Sequence, residues 1–431
     1  MASGKTASDI LIERLIDWGV DTIFGLPGDG INGIMESLRT HQDQITFIQD
    51  RHEEASAFAA CAYAKFTGKL GVCLATSGPG AIHLLNGLYD AKLDGAPVLA
   101  LTGQQYSDLL GLSYQQEVDL VRLFADVAAF DQQVQGSTDV ANLVDTACRT
   151  ALSKHTVAHI TFPIDYQVAP AKEGFYSHHG GPPKTPDRVW DFQPSFFSQN
   201  GRTTGGANDH AAATPAQATL QQAADLLNAG KKVAILVGHG AIGARHEVEQ
   251  LADLLGAPVV KALLGKSVLP DDSPFTTGGI GLVGTRPSED VMERCDTLLI
   301  VGSSFPYPNF LPRPDKARGV QIDIDQTRIG LRFPVEVGLV GDARATLLGL
   351  IPLLRRKTDR GFLETAQHGM KDWHARLEWA GTQDTRPLKP EVVAWTLGEL
   401  AAPDAIITGD SGTNTTWIAR NFLIKAGQMF S

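Results

Sequence analysis

The sequence has no long hydrophobic run. No stretch of about 18 consecutive apolar residues occurs, and the amino terminus carries no secretory signal pattern. Cysteine is also scarce, because the chain has only four and none of them stands in a C-x-x-C pair. We therefore expect a cytoplasmic protein whose thiols are free and buried in a reducing compartment. The cysteines are Cys61, Cys73, Cys148 and Cys295.

Positive charge is in deficit as well. With 37 Lys and Arg against 48 Asp and Glu, the net charge is −11, which disfavours binding to nucleic acid or to anionic membranes. The composition, 43% hydrophobic and 20% charged, is typical of a soluble globular protein. A chain of 431 residues should divide into two or three domains.

Strand-like runs alternate with helical patterns in two blocks, which predicts an α/β fold with two doubly wound parallel-sheet domains. The first covers residues 1–170 and the second 216–355, and a linker rich in Gly, Pro, Ser, Thr and Asn separates them over 171–215. Polar connecting helices follow over 356–390 as a hairpin. Residues 391–431 begin a third α/β domain with a helix and one strand. One strand cannot bury a core, so we expect a chain cut off inside that domain.

Near the amino terminus, "TIFGLPGDGINGIMESL" contains a glycine motif. Gly28, Gly30 and Gly33 satisfy G-x-G-x-x-G between a strand and a helix, and Asp50 ends the next strand. This spacing is typical of a dinucleotide site. Asp50 leads directly into "RHEE", however, whose neighbours indicate another cofactor.

Those neighbours are Glu53 and a glycine loop. Glu53 begins a helix rich in Ala and Ser, and "TSGPG" follows the strand "GVCLA", at the sheet edge where open α/β folds bind ligands. Taken alone, Glu53 could be no more than a carboxylate that favours a helix amino terminus.

The wider pattern over residues 51–104 resembles the pyrimidine-binding domain of thiamine diphosphate enzymes. That family includes pyruvate oxidase, quinone-linked pyruvate dehydrogenase, acetolactate synthase and pyruvate decarboxylase. The matching positions are His52-Glu53, Tyr63-Ala64-Lys65, Gly71-Val72, Thr76-Ser77-Gly78-Pro79-Gly80 and Thr102-Gly103-Gln104.

The resemblance implies a role for several residues. Glu53 would bond the aminopyrimidine ring nitrogen and activate the cofactor, and Gln116 would face the substrate. Asp29 matches an acidic residue beside the active site in the decarboxylase branch, although a plain turn aspartate explains it equally well. That branch also has paired His residues after Gln104, and this sequence has none there, so simple nonoxidative decarboxylation is disfavoured.

The second block resembles the flavin-binding middle domain of the oxidase and synthase branches, in "GIGLVGTRPS", "GSSFPY", "QIDID" and "VGDA". The alternative is a set of turn formers in a domain that binds no nucleotide. "GHGAIG" also fits G-x-G-x-x-G, but Lys261 stands where a dinucleotide site needs an acid. The cofactor positions implied by the resemblance are Pro27, Gly28, Thr76, Ser77, Gly78, Pro79, Gly80, Gly238, Gly240, Leu282, Gly284, Thr285, Ser303, Asp323, Ile324, Asp342 and Ala343.

The resemblance is strongest to the pyruvate oxidase and quinone-linked dehydrogenase branch. It implies oxidative decarboxylation of a 2-oxo acid such as pyruvate, with thiamine diphosphate, FAD and Mg²⁺, and with electrons passed to a quinone or oxygen. Homodimers or homotetramers are implied. "GDG" here lacks the downstream Asn of the family's magnesium motif, so the metal ligands, and any membrane-docking tail, are expected beyond Ser431.

The 431-residue chain alone should therefore bind the cofactor poorly and turn over no substrate. The alternatives are an acetolactate-synthase-like carboligase, a noncatalytic oligomerising fragment and an NAD dehydrogenase.

Overall fold

The computed structural model describes residues 4–136, 140–171 and 214–431. They belong to two compact units, Met1–Pro194 and Ser195–Ser431. Residues 172–213, which hold nearly all of the predicted linker, lie outside the described residues.

The first unit is an α/β domain built on one parallel sheet. Its six strands run in the order β2-β1-β3-β4-β6-β5, and every neighbouring pair is parallel. The strands are β1 (Thr22–Gly25), β2 (Thr46–Gln49), β3 (Gly71–Ala75), β4 (Val98–Gln104), β5 (Ala128–Gln133) and β6 (Val157–Pro163). The helices are α1 (Ala7–Asp17), α2 (Asn32–Thr40), α3 (Glu53–Thr67), α4 (Pro79–His83), α5 (Leu85–Asp94), α6 (Leu120–Phe124), α7 (Val140–Lys154) and α8 (Ile164–Gln167).

Helices cover both faces of this sheet, as β3 illustrates. Successive strand residues point to opposite faces, so Val72 and Leu74 join a core cluster with α1 and α7, while Cys73 and Ala75 join another with α3 and α5. Each fully buried Leu or Val stabilises the fold by about 1.5–3 kcal/mol. The run "GVCLA" is therefore apolar at every position because both of its faces are buried.

The second unit repeats this plan. Its parallel sheet has the order β12-β11-β10-β7-β8-β9. The strands are β7 (Val233–Val237), β8 (Val259–Lys261), β9 (Thr276–Gly279), β10 (Thr297–Val301), β11 (Arg318–Asp323), β12 (Val337–Val340), and the separate pair β13 (Ile406–Ile407) and β14 (Met429–Phe430). The helices are α9 (Gln217–Ala229), α10 (Arg245–Leu255), α11 (Arg286–Arg294), α12 (Ala343–Leu350), α13 (Gly361–Gly381), α14 (Pro390–Leu400) and α15 (Thr413–Asn421). The predicted fold class is confirmed.

The structure corrects the prediction of a helical hairpin over 356–390. A single 21-residue helix, α13, occupies that region. Its central Gly369 lies inside the helix and does not mark a turn. The next helix, α14, begins only at Pro390.

Three further strands were not predicted. The edge strands β5 and β9 have the sequences "AAFDQQ" and "TTGG", which lack the apolar run of a central strand. In residues 391–431 the structure has two strands where one was expected, because β14 pairs in parallel with β13. Both are only two residues long, too short for a periodic signal.

The four cysteines are buried and free, as expected. Among the described residues, no helix combines the length and the apolar character needed to cross a bilayer.

Candidate functional site

The first candidate site lies where the strand order of the first sheet reverses. The chain runs from β1 to β2 on one side and returns to β3 on the other. The loops after β1 and β3 therefore leave the same carboxyl edge from neighbouring strands, and such reversals form ligand crevices in open α/β sheets.

Glu53 lies at this edge, as the first residue of α3. The His52 side chain caps the helix by accepting a hydrogen bond from the Glu54 amide at 3.2 Å. Glu53 is only 7% exposed, and its Oε2 lies 3.0 Å from Nδ1 of His83. A carboxylate is favoured electrostatically at a helix amino terminus, so the helix and His83 together hold this nearly buried group in place.

The loop Thr76–Gly80 brings two other predicted residues towards Glu53. Gly78 has φ of 59°, in the region that favours glycine, and a Cβ there would lie 2.5 Å from the backbone oxygen of Gln116. A Cβ on Gly80 would lie 3.0 Å from Oε1 of Glu53. Glycine is therefore needed at both positions for Gln116 and Glu53 to approach the loop.

The glycines of the opening motif serve packing as well. A Cβ on Gly28 would lie 2.5 Å from the Thr76 side chain. The amide of Gly30 donates to Thr76 Oγ1 at 3.0 Å, and the amide of Gly33 donates to Gln167 Oε1 at 3.2 Å. Side chains thus occupy amides that a dinucleotide fingerprint would offer to phosphate, so the geometry argues against a dinucleotide site here.

The other predicted residues of this loop pair are also placed. Asp29 is exposed in a 3₁₀ turn, Asp29–Ile31, with its Oδ1 3.5 Å from Thr76 Oγ1. Pro27 is exposed. Ser77 is fully buried, and its hydroxyl accepts a hydrogen bond from Gln105 at 3.1 Å. Asp29 and Glu53 both lie beside Thr76, whereas the Ser77 hydroxyl is turned into the protein.

In the second unit the strand order reverses between β7 and β10. The two loops there are in direct contact, because a Cβ on Gly238 would lie 2.4 Å from the Gly302 oxygen. The Gly240 amide also donates to that oxygen, at 3.0 Å. These glycines are needed to bring the loops together, which is sufficient to explain them without a ligand.

Beside this contact the sheet edge carries a buried acid and exposed apolar side chains. Asp323, at the end of β11, is 6% exposed, and desolvation raises the pKa of its carboxyl group although the Asp325 amide donates to it at 3.0 Å. Ile324 and Leu282 are 50% and 69% exposed. Ser303 is buried, and its hydroxyl accepts from the Phe305 amide at 3.3 Å.

Other predicted flavin positions have structural tasks. Thr285 caps α11 by accepting from the Ser288 amide at 3.2 Å, and Asp342 caps α12 by accepting from the Ala345 amide at 2.8 Å. A Cβ on Gly284 would lie 2.8 Å from the Gly279 oxygen, and Ala343 is buried at the start of α12. Lys261 is buried and donates to Asp271 at 2.6 Å, so it faces the interior and is not at the ligand edge.

Comparison with known proteins identifies the family. The model of the amino-terminal thiamine pyrophosphate-binding domain matches residues 5–123, and that of the central domain of the same enzymes matches 220–350. The Bacillus subtilis protein YdaP, whose name refers to thiamine pyrophosphate, is 42% identical over 99% of this chain and 69% of its own length. The chain belongs to the thiamine pyrophosphate (thiamine diphosphate) enzyme family.

Two other relatives of this thiamine diphosphate enzyme carry different activities in their names. Pyruvate oxidase of Lactiplantibacillus plantarum is 30% identical over 94% of this chain, and acetolactate synthase of Mycobacterium bovis is 30% identical over 96%. The chain spans 64% of the length of each.

The residues present fit the pyrimidine end of thiamine diphosphate, because a nearly buried carboxylate faces a glycine loop at the switch point. The described residues offer no comparable fit for the magnesium ion. Within the described ranges, the one group of at least three metal-ligating side chains is His52, Glu53 and His83, and magnesium prefers a set of oxygen ligands.

Sequence reasoning missed three residues of this region. His83 follows Gly80 by three positions, a spacing that places both on one face of a helix beginning at Pro79. Gln167, fully buried, bonds both the Gly33 amide and the Gly30 oxygen, while Gln105 bonds Ser77. The side-chain amides of Gln167 and Gln105 are distant in sequence from their partners, so no local pattern indicates these two residues.

Proposed function

We propose that the protein catalyses thiamine diphosphate- and FAD-dependent oxidative decarboxylation of a 2-oxo acid of the pyruvate class, with a quinone or oxygen as electron acceptor. The observation that carries this proposal is the placement of the nearly buried Glu53 at the switch point, beside the glycine loop Thr76–Gly80. The pyruvate oxidase among the relatives supports the choice of substrate class.

Glu53 would bond the ring nitrogen of the aminopyrimidine and exchange a proton with it. Its carboxylate suits this task because α3 and His83 fix its position, with Oε2 3.0 Å from the imidazole nitrogen. When bound, thiamine diphosphate supplies the carbanion that attacks the substrate ketone and the electron sink for loss of carbon dioxide.

The neighbouring residues bind and orient. The Thr76–Gly80 backbone lies against the pyrimidine ring, and Gln116, held over Gly78, offers an amide to the substrate. Asp29, exposed beside Thr76 with its Oδ1 3.5 Å from Thr76 Oγ1, would be a second carboxylate near the cofactor.

The carboxyl edge of the second sheet would hold the flavin. Asp323 would accept hydrogen bonds from ribose hydroxyls, because its nearly buried carboxyl group lies at this edge, with Oδ1 bonded to the Asp325 amide at 3.0 Å. The exposed apolar side chains of Leu282 and Ile324 provide surface for a flat, largely apolar ring system.

The test is a steady-state assay of the protein made from its complete reading frame, with pyruvate, thiamine diphosphate, Mg²⁺, FAD and a quinone-like dye. We expect pyruvate-dependent dye reduction, and Glu53→Gln should lower the turnover number by about 100-fold or more. Glu54→Gln is the matched control, because Glu54 is next in α3 but is exposed and bonds Asn86. A Glu53→Gln enzyme with unaltered turnover would show that Glu53 does not activate the cofactor.

The second candidate is an acetolactate-synthase-like carboligase, which the Mycobacterium bovis relative favours. In the same assay this function gives acetolactate without dye reduction. That outcome replaces the oxidoreductase proposal while leaving the role of Glu53 intact.

A further inference from the structure

Three metal-ligating side chains converge beside the first site. His52 and Glu53 come from the start of α3, and His83 ends α4. One donor atom from each lies within 4.8 Å of the others, and the two imidazole rings stack with centroids 4.5 Å apart. The cluster therefore joins two separate elements through one carboxylate and two imidazoles.

We propose that His52, Glu53 and His83 bind a divalent transition-metal ion of the Zn²⁺ class. Zinc bonds to nitrogen and oxygen are about 2.0–2.2 Å long, which puts neighbouring tetrahedral ligands about 3.4 Å apart. The pair formed by Glu53 Oε2 and His83 Nδ1, at 3.0 Å, already approaches this spacing. His52 and His83 are both exposed, with 51% and 45% of their side chains accessible, so a change in the torsions of these rings closes the remaining distance.

The donor set selects the kind of ion. Two imidazoles and one carboxylate leave a fourth position open, as in zinc sites that retain a water, whereas Mg²⁺ and Ca²⁺ prefer sets made of oxygen. Glu53 is nearly buried, so its charge is weakly screened when it faces a cation. The three residues thus favour zinc, cobalt or nickel over the magnesium that accompanies a diphosphate.

Neighbouring side chains can orient the imidazole ring of His52. The Glu54 carboxylate lies 3.9 Å from Nδ1 of His52, and the Asn86 amide donates to Glu54 at 2.5 Å. A carboxylate beside the second nitrogen of a metal-bound imidazole fixes the tautomer and the ring orientation. Binding through Nε2 therefore moves the His52 proton to Nδ1, where it faces Glu54 in place of the capping bond from the Glu54 amide.

The ion and the cofactor would be alternative occupants of Glu53. This consequence rests on the proposed function, because the same carboxylate cannot bond the pyrimidine nitrogen and ligate a metal through the same oxygen. Zinc would then inhibit the enzyme by competing with thiamine diphosphate.

The test is a titration of the tag-free chain with Zn²⁺ in competition with a chromophoric chelator. We expect one ion per chain with a dissociation constant below about 10 μM, and at least about a tenfold weakening in each of His52→Ala, His83→Ala and Glu53→Gln. His368→Ala is the matched control, because His368 faces only one carboxylate, Asp372, at 3.9 Å and should leave this binding unchanged. The urea midpoint of each variant checks that it is folded.

Co²⁺ provides an independent readout, because tetrahedral coordination intensifies its visible absorption, and this signal should disappear in His83→Ala. A dissociation constant above about 10 μM in the unaltered chain overturns the metal site. The metal site is also overturned if all three variants bind Zn²⁺ as tightly as the unaltered chain does. In the protein made from its complete reading frame, excess thiamine diphosphate with Mg²⁺ should release the bound zinc. Retention of zinc under those conditions overturns the competition alone, whereas failure of the proposed function appears separately, as absent pyruvate turnover without zinc.

Discussion

Asp271 is the residue whose loss should destabilise the second unit most clearly. Its carboxylate is 6% exposed and lies 2.6 Å from Nζ of Lys261 and 3.1 Å from Nζ of Lys266. It also accepts the Ile424 amide at 2.8 Å, which ties residues near the carboxyl end of the chain to the middle domain. Desolvation raises the pKa of Asp271, but attraction to the two lysines outweighs it and holds that pKa well below its usual range.

Asp271→Asn keeps the side-chain shape but removes the charge. Lys261 is then buried without its counter-ion, and burial already lowers its pKa to about 8. Removing one partner of a buried pair costs about 3–5 kcal/mol of unfolding free energy. With a denaturant dependence of about 1–3 kcal/mol per molar urea, the unfolding midpoint should fall by about 1 M or more.

Tryptophan fluorescence in urea measures this change, because Trp373, Trp379, Trp395 and Trp417 all lie in the second unit. Asp272→Asn is the control, since the neighbouring Asp272 is exposed and should cost less than about 0.5 kcal/mol. Adding Lys261→Met to Asp271→Asn should recover part of the loss, because the charge of Lys261 is then removed and only Lys266, which also bonds the Ala419 oxygen, stays buried without its counter-ion. Equal midpoints for the Asp271 and Asp272 variants would refute the reasoning.

Three further predictions concern the first unit and the thiols. Gly78→Ala should lower the unfolding free energy by about 1–3 kcal/mol more than Gly111→Ala. Both glycines have positive φ, but only at Gly78 would the new Cβ meet a backbone atom, the Gln116 oxygen. Equal losses of unfolding free energy in urea titrations would contradict this. Burial lowers the pKa of His159 despite Asp131, so the folded ring stays neutral while the unfolded chain takes up a proton below pH of about 6.5. Stability should therefore fall between pH 7.5 and 5.5, and less steeply in His159→Gln, as thermal melts would show; equal slopes would argue against this assignment. The four buried cysteines should react with a thiol reagent only after unfolding, because burial raises their pKa values, and rapid labelling of the folded chain would contradict their burial.

Local patterns predicted most of the fold because central parallel strands have apolar runs that can be recognised in the sequence. The run of β3 is apolar throughout and that of β4 is apolar over its first four residues, since both faces of each strand are buried. The edge strand β5 was not predicted, because its sequence is partly polar and its residues are partly exposed. For the region of α13, the polar composition predicted two helices and a turn, whereas the structure has one continuous helix.

Part of the candidate site could also be predicted from local patterns. Glu53 and the Thr76–Gly80 loop were found from the sequence, because a carboxylate that begins a small-residue helix and a glycine loop after a buried strand are both local patterns. Their proximity followed from parallel topology, since parallel strands end at the same edge of a sheet.

The amino-acid sequence alone determined the fold class, the positions of the central strands and the membership in a cofactor family, because these depend on the order of residues along the chain. Only the tertiary structure decided what the glycine-rich opening loop does. Its amides bond Thr76 and Gln167, which lie 46 and 134 residues away in the chain, and spacing cannot reveal whether an amide is free for phosphate or already occupied. The pairing of His83 with Glu53, 30 residues apart, likewise depends on how α4 packs against α3.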